Sequence, residues 1–114
     1  MPEYRRIYQA GGTYFFTIVT YNRKPLFSSQ QCRDILHSCW QEVQSRHPFG
    51  TIALCLLPDH IHTIWKLPED DVDYPMRWKE IKRLFTRKYI KQIGSDGARN
   101  ELHQVQGEAS IWQR

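Results

Sequence analysis

Thr51-Ile52-Ala53-Leu54-Cys55-Leu56-Leu57-Pro58-Asp59-His60-Ile61-His62-Thr63-Ile64-Trp65-Lys66-Leu67 is the stretch from which the fold follows. Thr51 to Leu57, apolar from Ile52 onward, reads as a buried strand. Pro58-Asp59 turns the chain, and His60 to Leu67 resumes as a second strand, so the segment predicts a hairpin. In a strand, residues two apart point to one face, which sets the imidazoles of His60 and His62 side by side. On a helix the same spacing would send them about 200° apart. A divalent cation needs that convergence, although two imidazoles do not complete a coordination sphere. A third ligand and waters are required, and the spacing does not identify them. The bland alternative is a pair of exposed histidines on an ordinary strand.

Upstream, Gly11-Gly12 signals a turn, and Thr13 to Tyr21 is built almost wholly from β-branched and aromatic residues. Both alternating faces carry bulky groups, which predicts a strand covered on both sides. Asn22-Arg23-Lys24-Pro25 stops it. Ser28 and Ser29 offer an N-cap, and Ser28 with Gln31 has capping-box spacing. Cys32, Ile35, Leu36, Cys39, Trp40 and Val43 follow the spacing of one helical face, predicting a helix from about 29 to 46. Downstream, Glu69-Asp70-Asp71-Val72-Asp73 reads as a solvated connection. Pro75 suits a first helical turn, and Trp78, Ile81, Phe85 and either Lys88 or Tyr89 carry that helix to about Ile93. Residues 94–110 are polar and glycine-dotted, which predicts a mobile loop. Ile111-Trp112-Gln113-Arg114 follows, and a tryptophan so near the end implies packing and a chain cut off. The order β-α-β-β-α gives a single α+β domain over 1–114. It is ferredoxin-like, an antiparallel sheet with its helices on one face and its last strand expected to be missing; the third strand is central, beside the first.

Composition agrees with one ordinary globular domain: 114 residues, 40% hydrophobic and 25% charged. The longest apolar run, Ile52 to Leu57, is far too short for a membrane span, and Met1-Pro2-Glu3-Tyr4-Arg5-Arg6 lacks the apolar core of a secretory signal. A cytoplasmic protein is expected. Cys32, Cys39 and Cys55 form neither a disulfide framework nor a zinc ribbon. The net charge of +4 permits nucleic-acid binding, and its placement sharpens the point. Arg77, Lys79, Lys82, Arg83, Arg87, Lys88 and Lys91 crowd the last helix against Glu80 alone, where a solvated face would mix signs. Arg5, Arg6, Arg23 and Lys24 add charge near the ends of the first strand. Lys79, Lys82, Arg83 and Arg87 join these four as the candidate contacts to a polyanion, whose neutralised phosphates would make binding steeply salt-dependent. Tyr14, Phe16, Trp40, Trp78 and Phe85 sit at core-like positions. Tyr89 is better placed for packing than for nucleophilic attack, and no serine or threonine has a partner base nearby. A nucleic-acid-binding module with idle histidines is the competing class.

Taken together, these segments resemble the REP-associated tyrosine transposases, single-tyrosine members of the HUH nuclease superfamily. Gly11-Gly12-Thr13-Tyr14-Phe15-Phe16-Thr17 resembles their first strand and Arg46-His47-Pro48-Phe49 the exit of their first helix. Leu56-Leu57-Pro58-Asp59-His60-Ile61-His62-Thr63-Ile64-Trp65 resembles the histidine–hydrophobic–histidine strand. Arg77-Trp78-Lys79-Glu80-Ile81-Lys82 and Ile111-Trp112-Gln113-Arg114 resemble later signatures. The resemblance implies metal-dependent cleavage and rejoining of single-stranded DNA that carries a hairpin, with His60 and His62 holding Mg²⁺ or Mn²⁺. It also implies a phosphotyrosine intermediate that conserves the energy of the broken bond. In that family the nucleophilic tyrosine follows the Trp-Gln-Arg signature, so it is expected beyond Arg114, and the 114 residues alone are expected to bind DNA without cleaving it. An unpaired sheet edge would favour a homodimer.

Overall fold

The apolar patterns just described are realised in a computed structural model that describes residues 11–93 and 111–113. Its strands are β1 (Thr13–Val19), β2 (Gly50–Leu57) and β3 (His60–Lys66), and its helices are α1 (Gln30–Arg46) and α2 (Tyr74–Gln92). The three strands form one antiparallel sheet in the order β1-β3-β2, which puts the histidine strand at the centre. This is the β-α-β-β-α portion of a ferredoxin-like fold. Arg5, Arg6 and the expected mobile loop over 94–110 lie outside the described residues.

Each helix begins where a side chain can satisfy its free N–H groups. Ser29 caps α1, its hydroxyl accepting from Cys32 N at 3.2 Å. Ser28 instead closes the short 3₁₀ turn Leu26–Ser28, so the capping-box spacing goes unused. Asp73 caps α2 by accepting from Met76 N at 3.1 Å, with Pro75 in the first turn. The apolar stripes of both helices bury on one face of the sheet. There Trp65 stacks on Trp78 with centroids 4.5 Å apart, and Trp40 meets both edge-on at 5.7 and 5.6 Å. Phe16, Phe85 and Ile81 complete this core.

Four expectations are corrected. β1 is not covered on both sides: Tyr14, Phe16 and Ile18 are buried, whereas Phe15, on the opposite face, is 55% exposed. β2 is not a buried strand but an edge strand, with Ile52 58% and Leu54 47% exposed and an irregularity in register between Thr51 and Ala53. Apolar content alone cannot distinguish an edge from a centre, because burial depends on which neighbours the topology supplies. The acidic loop is more than a solvated connection. Asp71 grips Arg77 through Oδ1 and Oδ2 at 3.1 and 2.9 Å, and it accepts from Asp73 N at 2.8 Å. Arg77 in turn is only 2% exposed and donates to the carbonyls of His47, Pro48 and Asp73. It is therefore a buried clamp between α2 and the entry to β2, not part of a basic surface.

Trp112 is 3% exposed and packs against Phe27 and Phe85. Its backbone bridges Thr20 in antiparallel fashion, Tyr21 N donating to Ile111 O and Gln113 N to Val19 O. Residues 111–113 thus lie along the edge of β1 away from β3, where the ferredoxin-like pattern places its last strand.

Candidate metal centre and nucleic-acid interface

Alternation along β3 buries Ile61, Thr63 and Trp65 toward the helices and turns His60, His62 and Ile64 to the other face, each half-buried. The two imidazoles stand together on that face as the spacing predicts, with centroids 4.7 Å apart and planes at 85°. Each ring has its Nδ1 engaged. His60 Nδ1 lies 2.7 Å from Asp59 Oδ1, and since a carboxylate only accepts, the neutral ring carries its proton there and keeps a lone pair on Nε2. His62 Nδ1 lies 3.1 Å from the hydroxyl of Thr17, its direct cross-strand neighbour on β1. Side chains that hold one ring nitrogen leave the other free for a cation, the arrangement by which ligating histidines are usually oriented.

Behind His60 the support continues. Asp59 Oδ2 accepts from Arg23 Nε at 2.7 Å. The hydrogen bonds from His60 and then from Arg23 hold the Asp59 carboxyl below the usual carboxylate range. Arg23 is presented by a backbone in the left-handed region (φ +53°), directly after Asn22 at φ +55°. Asparagine tolerates that region, but an arginine there carries roughly 1 kcal/mol of strain. The segment is held by Thr20, whose N–H donates to Asp59 O at 3.0 Å and whose hydroxyl lies 2.8 Å from Lys24 O. Beside His62, the ring of Phe15 lies nearly parallel (11°) at 5.9 Å and is largely exposed.

The proposed cations divide between two surfaces. Arg23 is at the histidine end of the sheet, bound to Asp59, with Lys24 next to it. Lys79, Lys82, Arg83 and Arg87 are on α2, in the layer across the sheet from the histidines. Arg83 is paired with Glu80 at 2.7 Å, and Lys88 reaches Ser38 and Glu42 on α1. The face of α2 is therefore less uniformly positive than its sequence suggests. Sequence reasoning missed Asp59, Thr17 and Phe15. Asp59 read as a turn residue, and only the cross-strand register, which no local pattern reveals, brings Thr17 and Phe15 to His62. The residues fit a divalent cation as two of its ligands. No group of three His, Cys, Asp or Glu side chains is placed to hold an ion among the described residues.

A three-stranded antiparallel sheet backed by two helices, with paired histidines on its open central strand, defines an α+β protein of ferredoxin-like type. The sequence matches the family described as IS200-like transposases over residues 9–113, and the chain belongs to that family. It is 38% identical over its full length to a Haemophilus influenzae protein assigned as a REP-associated tyrosine transposase, covering 62% of that relative. Over 86 residues it is 44% identical to the Escherichia coli REP-associated tyrosine transposase, covering 75% of this chain and 52% of the relative. The chain thus spans between half and two thirds of the length of these relatives. A solved REP-associated tyrosine transposase bound to a REP hairpin superposes with a TM-score of 0.74 at 37% identity, covering 99% of this chain and 58% of the other. A Deinococcus radiodurans crystal structure assigned as a transposase shares the fold, with a TM-score of 0.61 at 16% identity over 90% of this chain and 93% of the other.

Proposed function

We propose that this chain is the metal- and DNA-binding part of a transposase that cleaves and rejoins single-stranded DNA beside a hairpin. The observation that carries the reading is the pairing of His60 and His62 on an open sheet face with both Nδ1 atoms held. In the reading, His60 and His62 would hold Mg²⁺ or Mn²⁺ through the ring nitrogens that Asp59 and Thr17 leave free. A cation held there would polarise the scissile phosphate and offset charge on the leaving oxygen. Asp59 and Thr17 keep the rings aimed, and Arg23 holds Asp59 from behind through its hydrogen bond. Phe15 offers an exposed ring on which an unpaired base flanking the scissile phosphate can stack. The tyrosine that attacks, leaving a phosphotyrosine and a free 3′-hydroxyl, is assigned by resemblance to the helix after Trp112-Gln113-Arg114.

The free thiols of Cys32, Cys39 and Cys55 suit work in the cytoplasm, and no described helix is long and apolar enough to cross a membrane. A second copy could pair along an open sheet edge, and sedimentation at tens of micromolar would detect that dimer. The metal reading is tested by calorimetric titration with Mn²⁺. The wild-type chain should bind, and the His60→Ala/His62→Ala double variant should not. Equal behaviour of the two would refute the metal site and favour the DNA-binding module with idle histidines.

A further inference from the structure

The turn after β1 brings an arginine to the histidine end of the sheet and leaves most of its head group unused. Arg23 Nε donates to Asp59 Oδ2 at 2.7 Å, while Asp59 Oδ1 lies 2.7 Å from His60 Nδ1. One carboxylate thus stands between a candidate metal ligand and a guanidinium, engaging each through a separate oxygen. The side chain of Arg23 is 62% exposed, and its Nη1 and Nη2 have no partner among the described residues. Its backbone is firmly placed. Arg23 N donates to Thr20 O at 3.1 Å. Thr20 N donates to Asp59 O at 3.0 Å and Phe27 N to Pro58 O at 2.9 Å, so the segments on both sides of Arg23 are tied to the Pro58-Asp59 turn.

We infer that Arg23 is a phosphate clamp: anchored to Asp59 through Nε, it offers Nη1 and Nη2 to the non-bridging oxygens of the scissile phosphate. The inference rests on the reading that the histidine face engages single-stranded DNA, and it adds the side chain that grips the reacting group. Two observations favour a clamp over a structural ion pair. A guanidinium is a rigid fork, so holding Nε also fixes where the remaining donors point, which suits bidentate recognition of phosphate. No more than about 8 Å separates Arg23 Nε from His60 Nδ1, the span of two hydrogen bonds and one carboxylate, so both residues can serve one nucleotide. The second observation is backbone strain. Arg23 lies at φ +53°, directly behind Asn22 at φ +55°. Asparagine or glycine would occupy that region at lower cost. An exposed ion pair stabilises a fold little, so the bridge to Asp59 does not by itself explain an arginine there. Strain that folding does not reward points to a ligand.

The test uses the full chain and a fluorescent DNA hairpin with a short single-stranded foot, read by anisotropy in EDTA and in Mn²⁺. Versions of the ligand carry one uncharged methylphosphonate at successive linkages of the foot. Arg23→Asn removes the fork and installs a residue suited to the left-handed backbone. In EDTA the variant should bind the unmodified hairpin about tenfold more weakly, the loss of one charge-assisted contact. Neutralising one particular linkage should cost the wild type a similar factor and the variant less than twofold. At that same linkage, Mn²⁺ should no longer strengthen wild-type binding. The variant should melt at or above the wild-type temperature, and Arg23→Gln should repeat the linkage pattern. A lower melting temperature with unchanged DNA affinity would make Arg23 a structural residue. Equal sensitivity of variant and wild type at every linkage, or an Arg23-dependent linkage distinct from the Mn²⁺-dependent one, would overturn the clamp. A wild-type chain that binds the hairpin neither with nor without Mn²⁺ would overturn the DNA reading itself.

Discussion

Replacing Asp71 by Asn tests whether the acidic loop is part of the fold or only a connection. Asp71 accepts two hydrogen bonds from the buried Arg77 guanidinium and one from the backbone of Asp73. These hold its carboxyl down from 3.8 to about 2. A depression of about 1.8 in pKa corresponds to a ceiling of about 2.5 kcal/mol of folding free energy. The carboxylate is 31% exposed, so solvent screening brings the expected value nearer 1 kcal/mol. Because the folded-state pKa is the lower one, the contribution is fully present above about pH 4 and is lost as pH falls through about 2. Asp71→Asn should therefore melt roughly 5 °C below the wild type at pH 7. The gap should close between pH 4 and pH 2, because the wild-type carboxyl then becomes neutral as well. Circular dichroism melts across that range provide the measurement. A gap that stays constant with pH, or no gap at pH 7, would refute the ionic clamp and return Asp71 to the solvated loop.

Two further substitutions address the site and the closing segment. Asp59→Asn replaces the group that fixes the His60 ring while leaving both imidazoles in place, so Mn²⁺ affinity should fall about 10- to 100-fold, read by the same calorimetry. Affinity within twofold of the wild type would show that Asp59 does not position the ligand. Trp112→Ala removes a buried ring that contacts Phe27 and Phe85 and should cost about 3–5 kcal/mol in urea unfolding. A loss below about 1 kcal/mol would show that residues 111–113 are not part of the core.

What the sequence disclosed and what it concealed divide along a physical line. Period-2 and period-3.6 patterns are local, and the hairpin, both helices and the shared face of His60 and His62 were legible from them. So was the need of Trp112 for a packing partner. The concealed features depend on contacts between distant segments. Ile52 and Leu54 belong to a run as apolar as any central strand, yet topology leaves β2 at an edge, where they remain exposed. Arg77 sits in a basic run, and it is the carbonyls of His47 and Pro48, some thirty residues upstream, that tie it to the entry of β2 as a buried clamp. Thr17 and Phe15 join the site through register with β3, across 45 or more positions of sequence.

The error over β1 has the same origin and bears most on function. Phe15 was expected under cover because bulky residues ordinarily are, and the cost of leaving a phenyl ring in water is real. A sheet covered on both faces, however, would bury His60 and His62, and a buried imidazole pair could reach neither hydrated cation nor phosphate. The proposed metal chemistry on DNA needs one open face, and the same openness leaves the ring of Phe15 exposed beside His62. The helices, all on the other side, cannot then supply cations to the same surface. The cationic side chains of α2 lie in the layer across the sheet from the paired histidines. The open histidine face and the cation-bearing helical layer both follow from the placement of the two helices on a single face of the sheet.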